Sequence, residues 1–327
     1  MSLPRRVAQV AIVVGAAVAL LSGCAATAPS APAAGASDER FVIGQDFPDP
    51  DVLRVGDTYY AYATNGAGFT VQVATSPDLK TWTVKAEDAL PALPDWAAPG
   101  KTWAPDVSEP TPGHFVMYVV TATVDPALQC IDVATSDSPD GPFTVQGSGP
   151  IVCPADDGGA IDPSTFVDDD GSRYLVWKND GNCCGLDTWL QIAPLSADGL
   201  SLGGAPTKLL KQTEPWEGQL VEAPTLVRHA GRYFLFYSAN DYSGGKYAIG
   251  YASSDSLLGP YAKATKPLMT TASTGGGYVG PGGQDVITTP DGTTDIVFHS
   301  WSEGTVFRGV NVLPLRWVNG LPRVVRH

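Results

Sequence analysis

Polar and apolar residues alternate in short runs between turn residues from about residue 41 to residue 327. Five of these runs begin with a glycine and continue with Tyr, Phe, Val, Ile or Thr, at residues 56–64, 113–120, 171–177, 231–238 and 292–299. Such runs are typical of β-strands that follow a tight turn. No stretch has the 3.6-residue period of a long amphipathic helix. The pattern therefore predicts an all-β protein.

One two-strand unit recurs five times along the chain. Each glycine-led run is followed by a second strand-like run, at 71–77, 131–136, 190–196, 248–254 and 308–315. The turn glycines of successive units are 57 to 61 residues apart, which leaves room for about four strands per unit. Radial repetition of four-stranded sheets protects strand edges in a propeller. We therefore predict a five-bladed β-propeller, a single domain from residue 41 to residue 327.

The N-terminal residues have the organisation of an export signal. A short basic segment precedes an apolar run at residues 7–21, and the tetrapeptide Leu-Ser-Gly-Cys that ends at Cys24 resembles the bacterial lipobox. We predict that residues 1–23 are a lipoprotein signal peptide and that a lipid on Cys24 anchors the exported chain to the cell membrane, facing outside. An ordinary cleaved signal, which would release a secreted chain, is the alternative. Residues 24–40, rich in Ala, Ser, Pro and Gly, are predicted to be a flexible tether.

Composition and charge narrow the possible functions. The chain carries 34 acidic and 20 basic side chains, a formal net charge of −14, and would repel a nucleic-acid backbone. Its hydrophobic fraction of 43% is too high for a disordered protein. We expect a monomer that binds no nucleic acid.

Four cysteines follow Cys24 in the chain: Cys130, Cys153, Cys183 and Cys184. An even number of cysteines in an exported chain indicates disulfide bonds, and the sequence leaves all three pairings of the four open. No Cys-x-x-Cys spacing occurs and the four histidines are scattered, which disfavours a cysteine-rich metal site.

Each unit also carries an acidic residue shortly before its turn glycine. Asp49, Asp106 and Asp285 lie seven residues before that glycine, and Asp162 and Glu222 lie nine residues before it. Because the first strand of a propeller blade lines the central channel, we expect the five acids to share one phase of the repeat and to converge there. Converging carboxylates shift each other's pKa values, which favours acid–base chemistry or a bound cation. Glycoside hydrolysis needs two carboxylates flanking the scissile bond.

Four motifs resemble glycoside hydrolase family 43, and their order and spacing extend the resemblance over nearly all of the chain after the tether. They are Pro-Asp-Pro at residues 48–50, Trp-Ala-Pro-Asp at 103–106, Ile-Asp-Pro at 161–163 and Val-Glu-Ala-Pro at 221–224. Members of this family are five-bladed propellers. The resemblance implies a catalytic domain that hydrolyses pentose-containing polysaccharides or oligosaccharides with inversion. An α-L-arabinofuranosidase or arabinanase is expected first, and a β-xylosidase is the alternative.

The resemblance also implies roles for three carboxylates. Asp49 matches the general base that activates water, and Glu222 matches the general acid that protonates the leaving oxygen. Asp162 matches the carboxylate that orients the acid and keeps its pKa high. Asp51 is a rival for the base, because it shares strand phase with Asp49. We prefer Asp49 because the motif places the base before the proline.

Four more residues are expected to bind the substrate. Trp103 is a candidate platform for a sugar ring or else a core residue, and Asp106 either binds sugar hydroxyls or braces the channel. His299 and Arg308 lie in the last unit, where family members often place substrate or metal contacts.

No cofactor is expected to be required. Many arabinan-cleaving members hold a channel calcium ion with the His of a Gly-Pro-Gly-His motif, but this chain has Gly283 at that position, and we assign no metal ligand. A non-catalytic carbohydrate-binding lipoprotein on the same propeller is the alternative from another functional class. The fructose-cleaving propeller family is disfavoured, because no Asn precedes the Asp of Pro-Asp-Pro.

Overall fold

The computed structural model describes residues 40–326, and within them 21 strands form five antiparallel sheets. Four sheets have four strands each, and the fifth carries one additional short strand. This arrangement confirms the predicted five-bladed β-propeller. The predicted signal peptide, the lipid site at Cys24 and the tether up to residue 39 lie outside the described residues. Between residues 40 and 326, no helix is long and apolar enough to cross a membrane.

The strands of each blade follow one another outward from the channel in chain order. Blade 1 comprises β1 (Asp51–Val55), β2 (Thr58–Ala63), β3 (Gln72–Ser76) and β4 (Thr83–Val84). Blade 2 comprises β5 (Ala97–Thr111), β6 (His114–Thr123), β7 (Gln129–Ser136) and β8 (Thr144–Val145). Blade 3 comprises β9 (Ala160–Val167), β10 (Arg173–Asn179), β11 (Trp189–Pro194) and β12 (Thr207–Lys211).

Blades 4 and 5 complete the ring. Blade 4 comprises β13 (Val221–His229), β14 (Arg232–Ala239), β15 (Ala248–Ser254) and β16 (Ala262–Lys263), with β17 (Met269–Thr270) also paired to β15. Blade 5 comprises β18 (Val279–Thr288), β19 (Thr294–Trp301), β20 (Arg308–Val318) and β21 (Leu321–Val324). Short 3₁₀ helices in the described loops are η1 (Ala155–Asp157), η2 (Gly181–Cys184), η3 (Pro215–Glu217) and η4 (Glu303–Thr305).

Apolar side chains fill the space between neighbouring blades. Five clusters of buried residues each draw on two adjacent blades, and the cluster between blades 5 and 1 also includes Ile43 and Phe47. The second strand of a blade, such as β6 or β14, is buried on both faces. This burial explains why the glycine-led runs are apolar at nearly every position instead of alternating.

The N-terminal segment of the propeller closes the ring against the last blade. Val42 N donates to Val310 O at 2.9 Å, and Phe47 N donates to Arg308 O at 3.0 Å. The Phe47 side chain is 0% exposed in the cluster between blades 5 and 1. Residues 42–47 therefore join the first blade to the last by both main-chain hydrogen bonds and apolar packing.

The cysteines pair as Cys130–Cys153 and Cys183–Cys184. The first bond joins β7 to the segment before η1. The second bond joins neighbouring residues of η2, in the loop between β10 and β11. The structure thus selects one of the three pairings that the sequence left open.

A left-handed residue occurs in or just before the innermost strand of all five described blades. These residues are Asp49, Ala104, Asp162, Ala223 and Gly283, with φ between 39° and 56°. A proline follows this residue in four of the five blades. A residue before proline is disfavoured in the right-handed helical region, and the resulting bulge turns the neighbouring side chains into the channel. The local sequence therefore shapes the channel wall.

The prediction that the five acids share one phase is wrong. Asp49 and Asp162 occupy the left-handed position, and Glu222 lies one residue before it. Asp106 and Asp285 lie two residues after it. The inner hairpins contain bulges and differ in length, so counting back from the turn glycine does not give the register.

Candidate active site

The three predicted catalytic carboxylates open onto one cavity of about 590 Å³. Asp49 reaches it from blade 1, Asp162 from blade 3 and Glu222 from blade 4. Trp103 and Arg308, both singled out from the sequence, line the same cavity. The cavity therefore brings together five residues from five different blades.

Asp49 is held as an ionised carboxylate. Its Oδ2 accepts a hydrogen bond from Thr64 Oγ1 at 2.8 Å, and Arg308 Nη1 lies 3.7 Å from the same oxygen. Burial raises the pKa of Asp49. The Arg308 charge and the Thr64 hydrogen bond lower it, and they help to exceed the effect of burial. The pKa therefore lies below its ordinary value of 3.8. A general base needs this ionised form at neutral pH.

His299 supports Asp49 and does not face the cavity, which corrects its expected role as a substrate contact. The side chain is 0% exposed, and its Nδ1 accepts the backbone N–H of Asp49 at 3.0 Å. Burial lowers the pKa of His299 to about 3, so the ring is neutral. The neutral ring fixes the backbone of the base without adding a charge beside it.

A stacked pair of rings connects the base to the acid. The Tyr247 and His299 rings have centroids 5.9 Å apart and planes 10° apart. The Tyr247 hydroxyl donates to Glu222 Oε1 at 2.8 Å. Gly282 makes room for this stack, because a Cβ there would lie 2.0 Å from Tyr247 Cε1. Buried, tightly packed groups therefore set the spacing between Asp49 and Glu222.

Asp162 orients Glu222 and shares its charge. Asp162 Oδ2 accepts the backbone N–H of Ala223, the residue after Glu222, at 2.8 Å. Burial and the Glu222 charge raise the pKa of Asp162 to about 8, against the opposing charge of Lys178. With its pKa raised this far, Asp162 is protonated at neutral pH. The site can therefore hold a proton on the carboxyl group that is bonded to the backbone beside Glu222.

Lys178 is a site residue that the sequence reasoning missed. Its Nζ lies 3.0 Å from Glu222 Oε2 and 3.8 Å from Asp180 Oδ1, and its side chain is 0% exposed. Burial opposes the charge of Lys178, but the nearby carboxylates outweigh it and raise its pKa. The sequence signal for this residue was a lysine directly after the apolar run at residues 171–177. A lysine buried in a strand needs a carboxylate partner. Tyr247 had no such signal, since it is one of 12 tyrosines in the chain.

Asp51, Asp106 and Asp285 form a second group, the interblade carboxylates. Their Oδ2 atoms accept backbone N–H groups of neighbouring blades at 2.9 to 3.0 Å, from Val107, Thr165 and Val52 respectively. Burial raises all three pKa values, that of Asp106 to about 7 and that of Asp285 to about 6. Asp51 is therefore less suited than Asp49 to act as the base.

The same geometry corrects one of the alternatives for Asp106. Asp106 is only 7% exposed, and its carboxylate accepts a hydrogen bond from the main chain of blade 3. It is also absent from the wall of the cavity that holds Glu222. Asp106 therefore braces two blades and lies outside the wall of that cavity.

Trp103 and Arg308 are placed where a substrate could reach them. The half-buried Trp103 lines the cavity, and Lys101 Nζ lies 6.0 Å from its ring centroid. The Arg308 guanidinium lies over the rings of Tyr242 and Trp301, 5.0 and 5.8 Å from their centroids. The two rings hold the Arg308 guanidinium towards Asp49. Their substrate contacts remain predictions.

The surroundings of Gly283 do not fit the channel calcium of arabinan-cleaving family members. Gly283 has a φ of +54°, and a Cβ there would lie 2.6 Å from His299 Nδ1 and 2.7 Å from Asp49 Oδ1. A histidine side chain has no room at this position. Within residues 40–326, no group of three or more His, Cys, Asp or Glu side chains could hold a metal ion. We therefore derive no step through a metal.

The chain is similar to known proteins. A family model for glycosyl hydrolases family 43 matches residues 39–322. An extracellular exo-α-(1→5)-L-arabinofuranosidase of Streptomyces avermitilis is 27% identical, over 84% of this chain and 58% of its own length. The extracellular endo-α-(1→5)-L-arabinanase 1 of Bacillus subtilis is 28% identical, over 73% of this chain and 76% of its own length. This chain thus spans less than two thirds of the Streptomyces relative.

A solved structure shows the same fold. The crystal structure of a thermostable family-43 glycoside hydrolase matches with a TM-score of 0.77 and 29% identity, over 86% of this chain and 94% of that one. The family model covers nearly all of the propeller, including the three carboxylates that share the cavity. The chain belongs to glycosyl hydrolases family 43.

Proposed function

We propose that this protein is an inverting glycoside hydrolase that releases arabinose units from pentose-containing polysaccharides or oligosaccharides. The observation that carries the proposal is the presence, in one cavity, of an ionised Asp49, a protonated Asp162 and Glu222. Inverting hydrolysis needs one carboxylate as base and one carboxylic acid as proton donor. A binding protein has no use for carboxylates tuned in opposite directions.

The roles of the residues follow from their positions. Asp49 accepts a proton from a water molecule, whose oxygen bonds to the anomeric carbon while the glycosidic C–O bond breaks. Glu222 donates its proton to the departing oxygen, and Lys178 and Tyr247 stabilise the carboxylate that remains. Asp49 ends protonated and Glu222 ionised, and proton exchange with water restores both. Attack opposite the leaving group inverts the anomeric configuration.

The choice of sugar rests on the relatives. The two proteins compared above are an arabinofuranosidase and an arabinanase. They support an α-L-arabinofuranoside as the substrate, with a β-xyloside as the alternative from the same family. Both sugars are pentoses, so the catalytic roles stay the same for either one.

Hydrolysis assays test the proposal directly. The mature protein is assayed on nitrophenyl α-L-arabinofuranoside, nitrophenyl β-D-xyloside, arabinan and arabinoxylan, and proton NMR follows the first product. We expect hydrolysis of the arabinosides with an inverted anomer. Asp49→Ala and Glu222→Ala should each lower kcat/KM by at least about 10³-fold, within the range of acid–base catalysis. Asp57→Asn, whose side chain is fully exposed in blade 1, is the control and should keep full activity.

Each failure has its own meaning. Hydrolysis of xylosides alone would show that the substrate is a β-xyloside and not an arabinoside. A retained anomer would contradict the mechanism. No hydrolysis of any pentoside, together with measurable binding of arabinan, would favour the non-catalytic binding protein.

The location of the protein is part of the proposal. Both relatives are named as extracellular, which supports export of this chain. We place it at the cell surface, anchored by a lipid on Cys24, as a monomer. Mass spectrometry of the native N-terminal peptide should show a diacylglyceryl group on Cys24. A peptide that starts at another residue, or that lacks the lipid, would show secretion after ordinary cleavage.

A further inference from the structure

The loop between β10 and β11 forms one wall of the catalytic cavity. Asn182 and Cys183 line this cavity together with Glu222. Both residues are exposed, and Cys183 is bonded to its neighbour Cys184. None of the catalytic roles derived above uses the disulfide. Its place beside the acid therefore calls for another role.

The loop is held rigidly at its base. Asn179, 1% exposed at the end of β10, donates through Nδ2 to Asp157 O at 2.9 Å and to Asp187 O at 3.1 Å. Its Oδ1 accepts the backbone N–H of Trp189 at 2.5 Å. Both ends of the loop and the neighbouring η1 are thus tied to one buried amide. A surface held this way presents a fixed shape to a ligand.

Close packing beneath the disulfide adds to this rigidity. A Cβ on Gly158 would lie 2.7 Å from Asp180 O and 3.2 Å from Cys183 Sγ. A Cβ on Gly181 would lie 2.4 Å from Asp187 O. The bond to Cys184 also removes the side-chain rotations that two free cysteines would have, so little entropy is lost when a ligand binds.

The loop stands on the acid side of the site. It continues directly from Lys178, whose Nζ contacts both Glu222 and Asp180, the first residue of the loop. Asp49 instead contacts Thr64 of blade 1 and Arg308 of blade 5. In an inverting displacement the leaving group departs on the side of the acid, opposite the attacking water. The side on which this loop stands is therefore the side of the leaving group.

We infer that Asn182 and the Cys183–Cys184 disulfide form the subsite for the leaving-group sugar, a neutral pentose unit of the substrate. This inference rests on the proposed hydrolase function. A sugar ring has an apolar face of C–H groups, and the polarisable sulfur atoms offer a matching apolar surface. The Asn182 amide can both donate to and accept from the ring hydroxyls. Specificity for the leaving group thus resides in blade 3.

Two substrates separate this subsite from the rest of the site. Arabinotriose has a sugar as its leaving group, whereas α-L-arabinofuranosyl fluoride has a leaving group that fills no sugar subsite. We expect the double variant C183A/C184A to lower kcat/KM for arabinotriose roughly tenfold, the size of one or two lost contacts. Its kcat/KM for the fluoride should stay within about twofold of the wild type, since the acid and base are untouched. The single variant Asn182→Ala, which keeps the disulfide, should show the same selective loss.

The matched control removes the other disulfide. The double variant C130A/C153A loses a bond whose cysteines do not line the cavity, and should affect both substrates equally. Equal losses on arabinotriose and the fluoride in C183A/C184A and in Asn182→Ala would overturn the subsite. Full activity of both variants on arabinotriose would overturn it as well. A wild-type protein inactive on both substrates would instead refute the hydrolase function on which the subsite rests.

Discussion

At the scale of single residues, the carboxyl groups of the cavity are tuned in opposite directions. The pKa of Asp49 lies below its ordinary value, because Arg308 and Thr64 help to outweigh its burial. Burial and the Glu222 charge raise the pKa of Asp162 to about 8. The free protein at neutral pH therefore holds an ionised Asp49 and a protonated Asp162 at once.

These shifts predict a bell-shaped dependence of kcat/KM on pH. The base works only above the pKa of Asp49, so the acid limb should lie below about pH 4. Above its pKa of about 8, Asp162 loses its proton and adds a second negative charge to the acid side of the site, so the alkaline limb should lie near pH 8. Initial rates between pH 3 and pH 10 measure both limbs. A rate that stays constant from pH 7 to pH 10 would contradict the raised pKa of Asp162.

Lys178 should control the alkaline limb of that profile. Its charge stabilises the ionised form of Asp162, and without this charge Asp162 should keep its proton to higher pH. We expect Lys178→Met to move the alkaline limb up by about 1–3 pH units while lowering the maximal rate. Lys178→Arg should restore the limb, because it keeps the charge. The same fractional loss of activity at every pH would show that Lys178 only supports the fold.

At the scale of the elements, the repeat could be read from the sequence but its register could not. Aromatic and β-branched runs led by a glycine identify the blade strands, because strands buried on both faces need apolar residues throughout. The register depends on bulges at residues such as Ala104 and Ala223, and the proline that follows each of them does not tell how far the bulge shifts the register. Lys178 and Tyr247 reach Glu222 only through this three-dimensional arrangement. The motif residues were predictable because each motif marks its own carboxylate.

The closing segment, residues 42–47, gives a prediction at this scale. Phe47 is 0% exposed between blades 5 and 1, next to Ile43. Phe47→Ala should lower the free energy of unfolding by about 3–5 kcal/mol, through lost burial and the cavity left behind. Chemical denaturation at pH 6 measures the change. Val306→Ala, at a side chain that is 78% exposed, should have no effect. Equal stability of Phe47→Ala and the wild type would show that the ring closes without this anchor.

At the scale of the whole molecule, the five blades meet around charges that repel one another. The interblade carboxylates tie blade 5 to blade 1, blade 1 to blade 2, and blade 2 to blade 3. Thr225 Oγ1 donates to Gln284 O at 2.7 Å between blades 4 and 5, where no carboxylate takes part. The interblade carboxylates thus form hydrogen bonds between neighbouring blades. When they are ionised together, they also repel one another. Stability should therefore fall as they lose their protons.

Asp106→Asn tests this balance. The pKa of Asp106 is about 7 in the folded protein, through burial, and near 3.8 in the unfolded chain, so the folded state binds the extra proton between these values. The wild type should therefore lose stability as the pH rises from about 4 to 7. Asparagine keeps an oxygen for the Thr165 N–H and carries no charge towards Asp285. In denaturant titrations the variant should gain roughly 2–4 kcal/mol over the wild type at pH 8 and almost nothing at pH 4. The control variant Asp57→Asn should gain no stability at either pH. An equal gain in stability for Asp106→Asn at pH 4 and pH 8 would show that packing around Asp106, and not its charge, lowers the stability of the wild type.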